Sequence, residues 1–267
     1  MIHTADTPHT DKTDPAHRFL LVWRNPDTGR SQCVGHVAAD EDSWQLHYTA
    51  TAATHPIPGF TGLRQFPNTR ATYHGTGLFP FIKQHTMHRG KLDYDEAIRE
   101  LGLDPSTATA VDEIIRSTGR RLTSPFFLVE QPVEHRGRLR GHFLLSGVDR
   151  IPQEEIHLET TPVRVGRSLH ERTLTSIKPH DRLFVLPEVR DEKQRQPLLV
   201  CANHNGTTVP VGRIPDYLVP PFHNLIEKTG DAKVFAHHVN SPGTVSHLRV
   251  LMLLDTPAPP CNPFEGL

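Results

Sequence analysis

An α+β architecture dominated by strands is expected for this 267-residue chain. Short runs of β-branched and aromatic residues recur along it, turn formers are frequent between them (24 Pro and 18 Gly), and few stretches carry the i, i+3, i+4 spacing of a helix. The length fits two domains of ordinary size. The first, over 18–132, reads as a β-meander with covering helices. The second, over 139–258, reads as a small β-barrel with one helix, and a polar segment over 133–138 reads as the linker between them.

Residues 1–17 are polar, of mixed charge and without an apolar core, which reads as a disordered tail rather than a signal or transit peptide. Arg18 to Trp23 forms the first strand, and Asn25, Pro26, Asp27 and Gly29 supply a turn. Ser31 to Val37 resumes the strand, Asp40 to Asp42 turns again, and Trp44 to Tyr48 alternates apolar with polar, completing the meander. Residues 50–77 are rich in Thr, Pro and Gly, with Phe60, Leu63, Phe66 and Tyr73 as anchors, and read as a long ordered loop.

Two helices follow. In the first, Asp93 has Glu96 three residues on, a capping-box spacing, and Tyr94, Ala97, Ile98 and Leu101 share one face before Gly102. In the second, Thr109 has Asp112 three on, with Val111, Ile114 and Ile115 apolar and Gly119 as the stop. Both helices are expected to cover the meander, with Trp23, Trp44, Phe79 and Phe81 in its core. Residues 125–129 return to strand. Beyond the linker, strands are expected at 139–148, 173–177, 182–187, 198–202, 209–211, 232–238 and 247–254. One helix is expected over 221–228, its apolar face made by Phe222, Leu225 and Ile226. Residues 259–267 read as a second tail.

Charge excludes several function classes. The chain carries 29 Lys+Arg against 30 Asp+Glu, a formal charge of −1, unlike a basic nucleic-acid coat or a polybasic membrane anchor. Its 19 His make that balance depend on pH. No apolar run approaches the ~20 residues of a membrane helix. Three scattered cysteines, Cys33, Cys201 and Cys261, suit a reducing cytoplasm rather than a disulfide framework. Phosphate-loop, dinucleotide, zinc-protease and serine-hydrolase motifs are all missing. The expectation is a cytoplasmic, non-catalytic protein without a cofactor.

Residues 186–200, then Val211-Gly212-Arg213-Ile214-Pro215 with Asp216, Tyr217, Leu218 and a short helix, resemble the HIRAN domain. Asp181, Arg182 and Leu183 occupy the place of that family's Gly-Asp-x-Leu strand, with His180 where Gly is usual. The resemblance covers 139–254 and implies an OB-like barrel that binds nucleic acid. The family's end-binding loop departs here: the aromatic and Asp positions are Lys193 and Gln194, and its Asn-Ala pair is Gln196-Pro197. Lys193 and Arg195 remain able to contact phosphate. The first half is similar to the small N-terminal subdomain of HipA-type toxin kinases, through Leu21 to Trp23, Cys33 to Val37, Trp44 to Tyr48, Phe66-Pro67 and Leu78 to Phe81. That resemblance implies a protein-docking module without the kinase domain.

Candidate nucleic-acid ligands are Arg136, Arg138 and Arg140, which alternate on one extended segment, together with Lys193, Arg195 and Arg213. His135 and His142 flank the stripe. Arg164, Arg167 and Arg172 fall in a long loop beyond it. Cys33/His36 and Cys201/His204 are two Cys-x-x-His units with the donors for tetrahedral zinc. On strands, however, Cys at i and His at i+3 point to opposite faces, so buried structural cysteines are expected and no metal. The function expected is binding of DNA, as single strands or unusual structures, with the N-terminal half docking a protein. The alternative is an accessory or antitoxin-like factor for a kinase or defence-system protein, without nucleic-acid binding.

Overall fold

Residues 17–40, 42–55, 57–121, 124–158, 161–189 and 196–267 are described by a computed structural model. The chain runs through β1 (His17–Arg24), β2 (Ser31–Ala39), β3 (Ser43–Tyr48), α1 (Ala50–Thr54), β4 (Thr72–Thr76), α2 (Pro80–His85), α3 (Tyr94–Glu100), α4 (Ala110–Ser117) and β5 (Phe126–Glu130). It continues through β6 (Val133–His135), β7 (Arg138–Leu144), β8 (Ile156–Leu158), β9 (Thr161–Val163), α5 (Arg167–Ser176), β10 (Arg182–Pro187), β11 (Leu198–His204) and β12 (Thr207–Arg213). Last come α6 (Val219–Thr229), β13 (Val234–Val239) and β14 (Val250–Pro257). Strands outnumber helices, as expected of a mostly β, α+β chain. Among the described residues no helix is long and apolar enough to cross a membrane.

The expected meander forms the centre of an antiparallel sheet ordered β4-β3-β2-β1-β5. Its first turn closes because Asn25 Oδ1 accepts from the amides of Asp27 and Thr28 at 2.8 and 3.1 Å. The loop over 50–77 is ordered from within. Tyr48 donates its hydroxyl to the Phe66 carbonyl (2.7 Å) and accepts from the Leu63 amide (2.8 Å), pinning the loop's apolar anchors over the sheet. That segment also contains α1 and β4, which the sequence reading passed over.

The two anticipated helices differ in role. α4 has the full capping box: Thr109 accepts from the Asp112 amide at 3.1 Å while Asp112 accepts from the Thr109 amide at 2.9 Å. It buries Ile114 on the meander beside Phe81 and Ile82 of α2. Asp93 makes no side-chain cap for α3. α3 does not cover the meander either, since Tyr94, Ile98 and Leu101 form a satellite core with Ala108, packed against Leu248.

The second sheet is ordered β12-β11-β10-β13-β14-β7-β6. Just past β7, Ser146 exchanges two 2.9 Å backbone hydrogen bonds with Arg213 at the end of β12, joining the sheet into a ring of six strands with β6 outside it. An OB barrel has five strands. Gly212 allows this closure, because a Cβ there would lie 3.0 Å from Leu145. α6 lies over the ring with Phe222 and Leu225 fully buried, as its spacing indicated.

Three expectations are corrected. Residues 133–138 are not a linker: β6 pairs with β7 across a tight turn in which Arg136 and Gly137 both have positive φ, 52° and 73°. Residues 259–267 are not a free tail, because Phe264 is wholly buried against Phe222, and Gln131 and Asn262 tie the segment across to 131–132. Residues 173–177 are not a strand but belong to the end of α5, on which Arg167 and Arg172 therefore sit.

Both faces of β1 and β5 are covered. Phe19, Leu21, Trp23 and Leu128 join the meander core, while Leu20, Val22, Phe127 and Val129 join the barrel core. Each such apolar side chain contributes roughly 1.5–3 kcal/mol, so the two halves are held by one continuous hydrophobic contact.

Candidate nucleic-acid interface

The residues singled out in the sequence separate into three groups. Lys193 and Arg195 lie outside the described residues. Arg213 is only 9% exposed, and its guanidinium grips Glu188 through two hydrogen bonds of 2.8 and 2.9 Å and Glu154 at 2.9 Å. Burial pulls its pKa down, and the two carboxylates outweigh that and raise it. It is the cation of a buried ion network, which leaves its fork filled by carboxylates rather than facing phosphate.

Arg136, Arg138 and Arg140 are not a uniform stripe, because Arg136 occupies the β6–β7 turn. Arg138 and Arg140 do share the outer face of β7. There Arg138 Nε contacts Asp255 Oδ1, its Nη2 donates to the Asp255 carbonyl at 2.8 Å, and Arg140 Nη2 stands 3.0 Å from Asp255 Oδ2. Burial raises the Asp255 carboxyl, but the two arginines together hold it below the usual carboxylate range.

Pairing register extends this face across four strands. Arg182 on β10 faces Phe235 on β13, Phe235 faces Leu253 on β14, and Leu253 faces His142 on β7. One step along, Phe184 follows Arg182, Lys233 precedes Phe235 with its carbonyl accepting from the Asp255 amide, and Asp255 faces Arg140. Residues two apart on a strand share a face, so both rows look outward. Phe184 is 43% exposed, one of few large apolar side chains so placed among the described residues, and the Arg182 guanidinium lies 5.8 Å from its ring centre. Phe235, Leu253 and Lys233 are half-buried. Four cations (Arg182, Lys233, Arg138 and Arg140) stand among two carboxylates, Asp231 and Asp255. The Arg182–Asp231 pair is about half exposed on both sides and therefore weak.

The sequence alone singles out none of Phe184, Lys233 and Phe235 as ligands, and it marks Arg182 only as part of a strand. A period-two signal was present, since Leu183 is buried and its strand neighbour must then face out.

One end of the platform is walled. His142 Nδ1 lies 2.7 Å from Glu130 Oε2, which also accepts from the His142 amide at 2.5 Å. The His142 ring meets His237 edge-on at 4.6 Å. Burial first, then Arg116 and the imidazoles of His142, His180 and His238, push His237 down to about 4. At the other end, β11 carries Cys201 opposite Phe184, and Cys201 is covered by the core that the β8–β9 hairpin caps.

The proposed zinc donors do not assemble. Cys33 packs against the barrel core and Cys201 within the satellite core under β8 and β9. Burial pushes both thiols up to about 12. His36 is engaged by Gln131 Oε1 (3.2 Å) and the Leu267 carbonyl (3.3 Å), and His204 Nδ1 lies 3.4 Å from Ser176 Oγ. Among the described residues no three His, Cys, Asp or Glu are grouped to hold a metal ion. No family model, no curated protein and no solved structure matches the chain.

Proposed function

We propose that this chain is a non-catalytic nucleic-acid-binding protein that takes single strands on the outer face of β10, β13, β14 and β7. The observation that carries the reading is exposed Phe184, stacked beneath Arg182 and set in a row with Lys233, Asp255 and Arg140. Single strands are bound by aromatic rings that accept unstacked bases and by cations that follow the backbone. Both groups are present on this surface, on rigid strands rather than on a loop. Asp255 holds Arg138 and Arg140 in place, and the pair still outnumbers it in charge.

Two local features support the HIRAN-like reading of this half. His180 adopts φ 71°, a left-handed conformation at the position where that family has Gly. Gly212, in the Val-Gly-x-Ile-Pro turn, sits too close to Leu145 for a larger residue to enter freely.

Fluorescence anisotropy with single-stranded, 3′-tailed and duplex oligonucleotides over a salt series tests the proposal. Expected is preferential single-strand binding whose affinity falls with salt, with a log–log slope reduced by about 0.7 in each of Arg138→Ala and Arg140→Ala. A flat response, or binding with no salt slope, overturns it and turns attention to the N-terminal half as a protein-docking module.

A further inference from the structure

Away from the platform, the loop between β13 and β14 lies against α5 and the turn at 148–153, enclosing a cleft of about 230 Å³. That is less than the roughly 300–1,000 Å³ of drug-sized sites and suits a small ion. Arg249 lines it and is only 5% exposed. A buried guanidinium has five N–H donors to satisfy. Among the described residues its side-chain partner is a single oxygen of Glu171, a carboxylate on α5 that is 42% exposed. No other side-chain hydrogen bond of Arg249 is made among the described residues, and the open space beside it is the cleft it lines.

Other cleft residues complete a donor-rich wall. Arg167 adds a second cation, and Thr244 and Ser246 add hydroxyls. His170 is buried, its Nε2 donates to the Val211 carbonyl at 3.3 Å, and burial lowers its pKa. Asp149 and Glu171 are the acids of the lining.

We propose that this cleft binds a small tetrahedral oxyanion, phosphate or a phosphomonoester, on Arg249 and Arg167, with Glu171 as the internal competitor that the anion displaces. A planar guanidinium accommodates two oxygens of phosphate side by side, which a single Glu171 oxygen does not supply. Glu171 can leave because its other side faces water. The site is separate from the strand platform and does not rest on the reading of that surface.

Isothermal titration of the full chain with inorganic phosphate, and in parallel with glycerol phosphate, tests the inference at low salt. Saturable binding near about 1 mM is expected for the wild type, at least tenfold tighter in Glu171→Gln and at least tenfold weaker in Arg167→Ala. Tighter binding of glycerol phosphate assigns the site to a phosphomonoester, and equal binding assigns it to phosphate itself. Arg249→Gln abolishes binding, with its melting temperature recorded alongside. If that variant unfolds, Glu171→Gln and Arg167→Ala decide the matter. No saturable heat up to about 10 mM in wild type and Glu171→Gln, or affinities indifferent to both substitutions, overturns the proposal.

Discussion

The sheet of the N-terminal half and the sheet of the barrel are built from strands of similar length, yet β1 and β5 of the first are covered on both faces, while β7, β10, β13 and β14 of the second keep one face toward water. In β1 five consecutive residues, Phe19 to Trp23, are buried, and in β5 three are, Phe127 to Val129. On β7 and β10 the buried positions alternate with Arg138, Arg140, Arg182 and Phe184. A continuous apolar run marks a strand between two layers, and alternation marks one with a free face. The difference teaches where binding chemistry can sit: β1 and β5 are spent on holding the molecule together, and the four barrel strands keep a surface.

Substituting one residue of each sheet should separate these roles. Leu20→Ala, at the junction of the halves, is expected to cost roughly 2–5 kcal/mol. Because Leu20 belongs to the shared core, calorimetry should show one cooperative transition at lower temperature. Two resolved transitions would break the picture of a continuous core. Phe184→Ala should leave stability within about 0.5 kcal/mol, as befits a half-exposed side chain. Its single-strand affinity should fall by about 1–3 kcal/mol. Unchanged affinity, or a loss of stability like that of Leu20→Ala, would erase the contrast.

The smallest effect concerns His237, where the platform meets the N-terminal helices. Its folded pKa of about 4 lies below the ordinary 6.5, so between these values the unfolded chain holds more protons than the folded one. Its contribution is intact above about pH 6.5 and is lost as pH falls toward 4. Melting temperatures from pH 7 to pH 5 should therefore decline more for the wild type than for His237→Asn. Parallel declines would mean that the burial of this imidazole is not felt at the junction.

Much of the fold was legible in the sequence wherever periodicity was carried by apolar residues. The meander, α4 with its capping box, and α6 were all readable in that way. α5 was hidden because its inward positions, His170, Thr173, Leu174 and Ile177, have helical spacing but include two polar residues. The supposed linker looked unstructured because a two-residue turn and a short edge strand are polar by nature. The final segment offered one apolar anchor, Phe264, too little for a periodic signal. At the candidate interface the cations of β7 stood out, while their partner Asp255 lies more than a hundred residues away in sequence and is brought in only by pairing. Arg213 misled for the opposite reason. Its charge was visible, whereas the two glutamates that occupy it were not.

The double burial of β1 also bears on how the chain reaches this state. Leu20 and Val22 are made more than two hundred residues before several of the side chains that cover them, Met252, Leu254 and Phe264 among them. Until those arrive, the newly made N-terminal sheet presents an apolar face with nothing against it. Contacts that close over such long stretches of chain form slowly, and an uncovered face of this kind is the ordinary substrate of chaperones and of aggregation. The surface that unites the two halves in the finished protein is thus the one most in need of protection while it is being made.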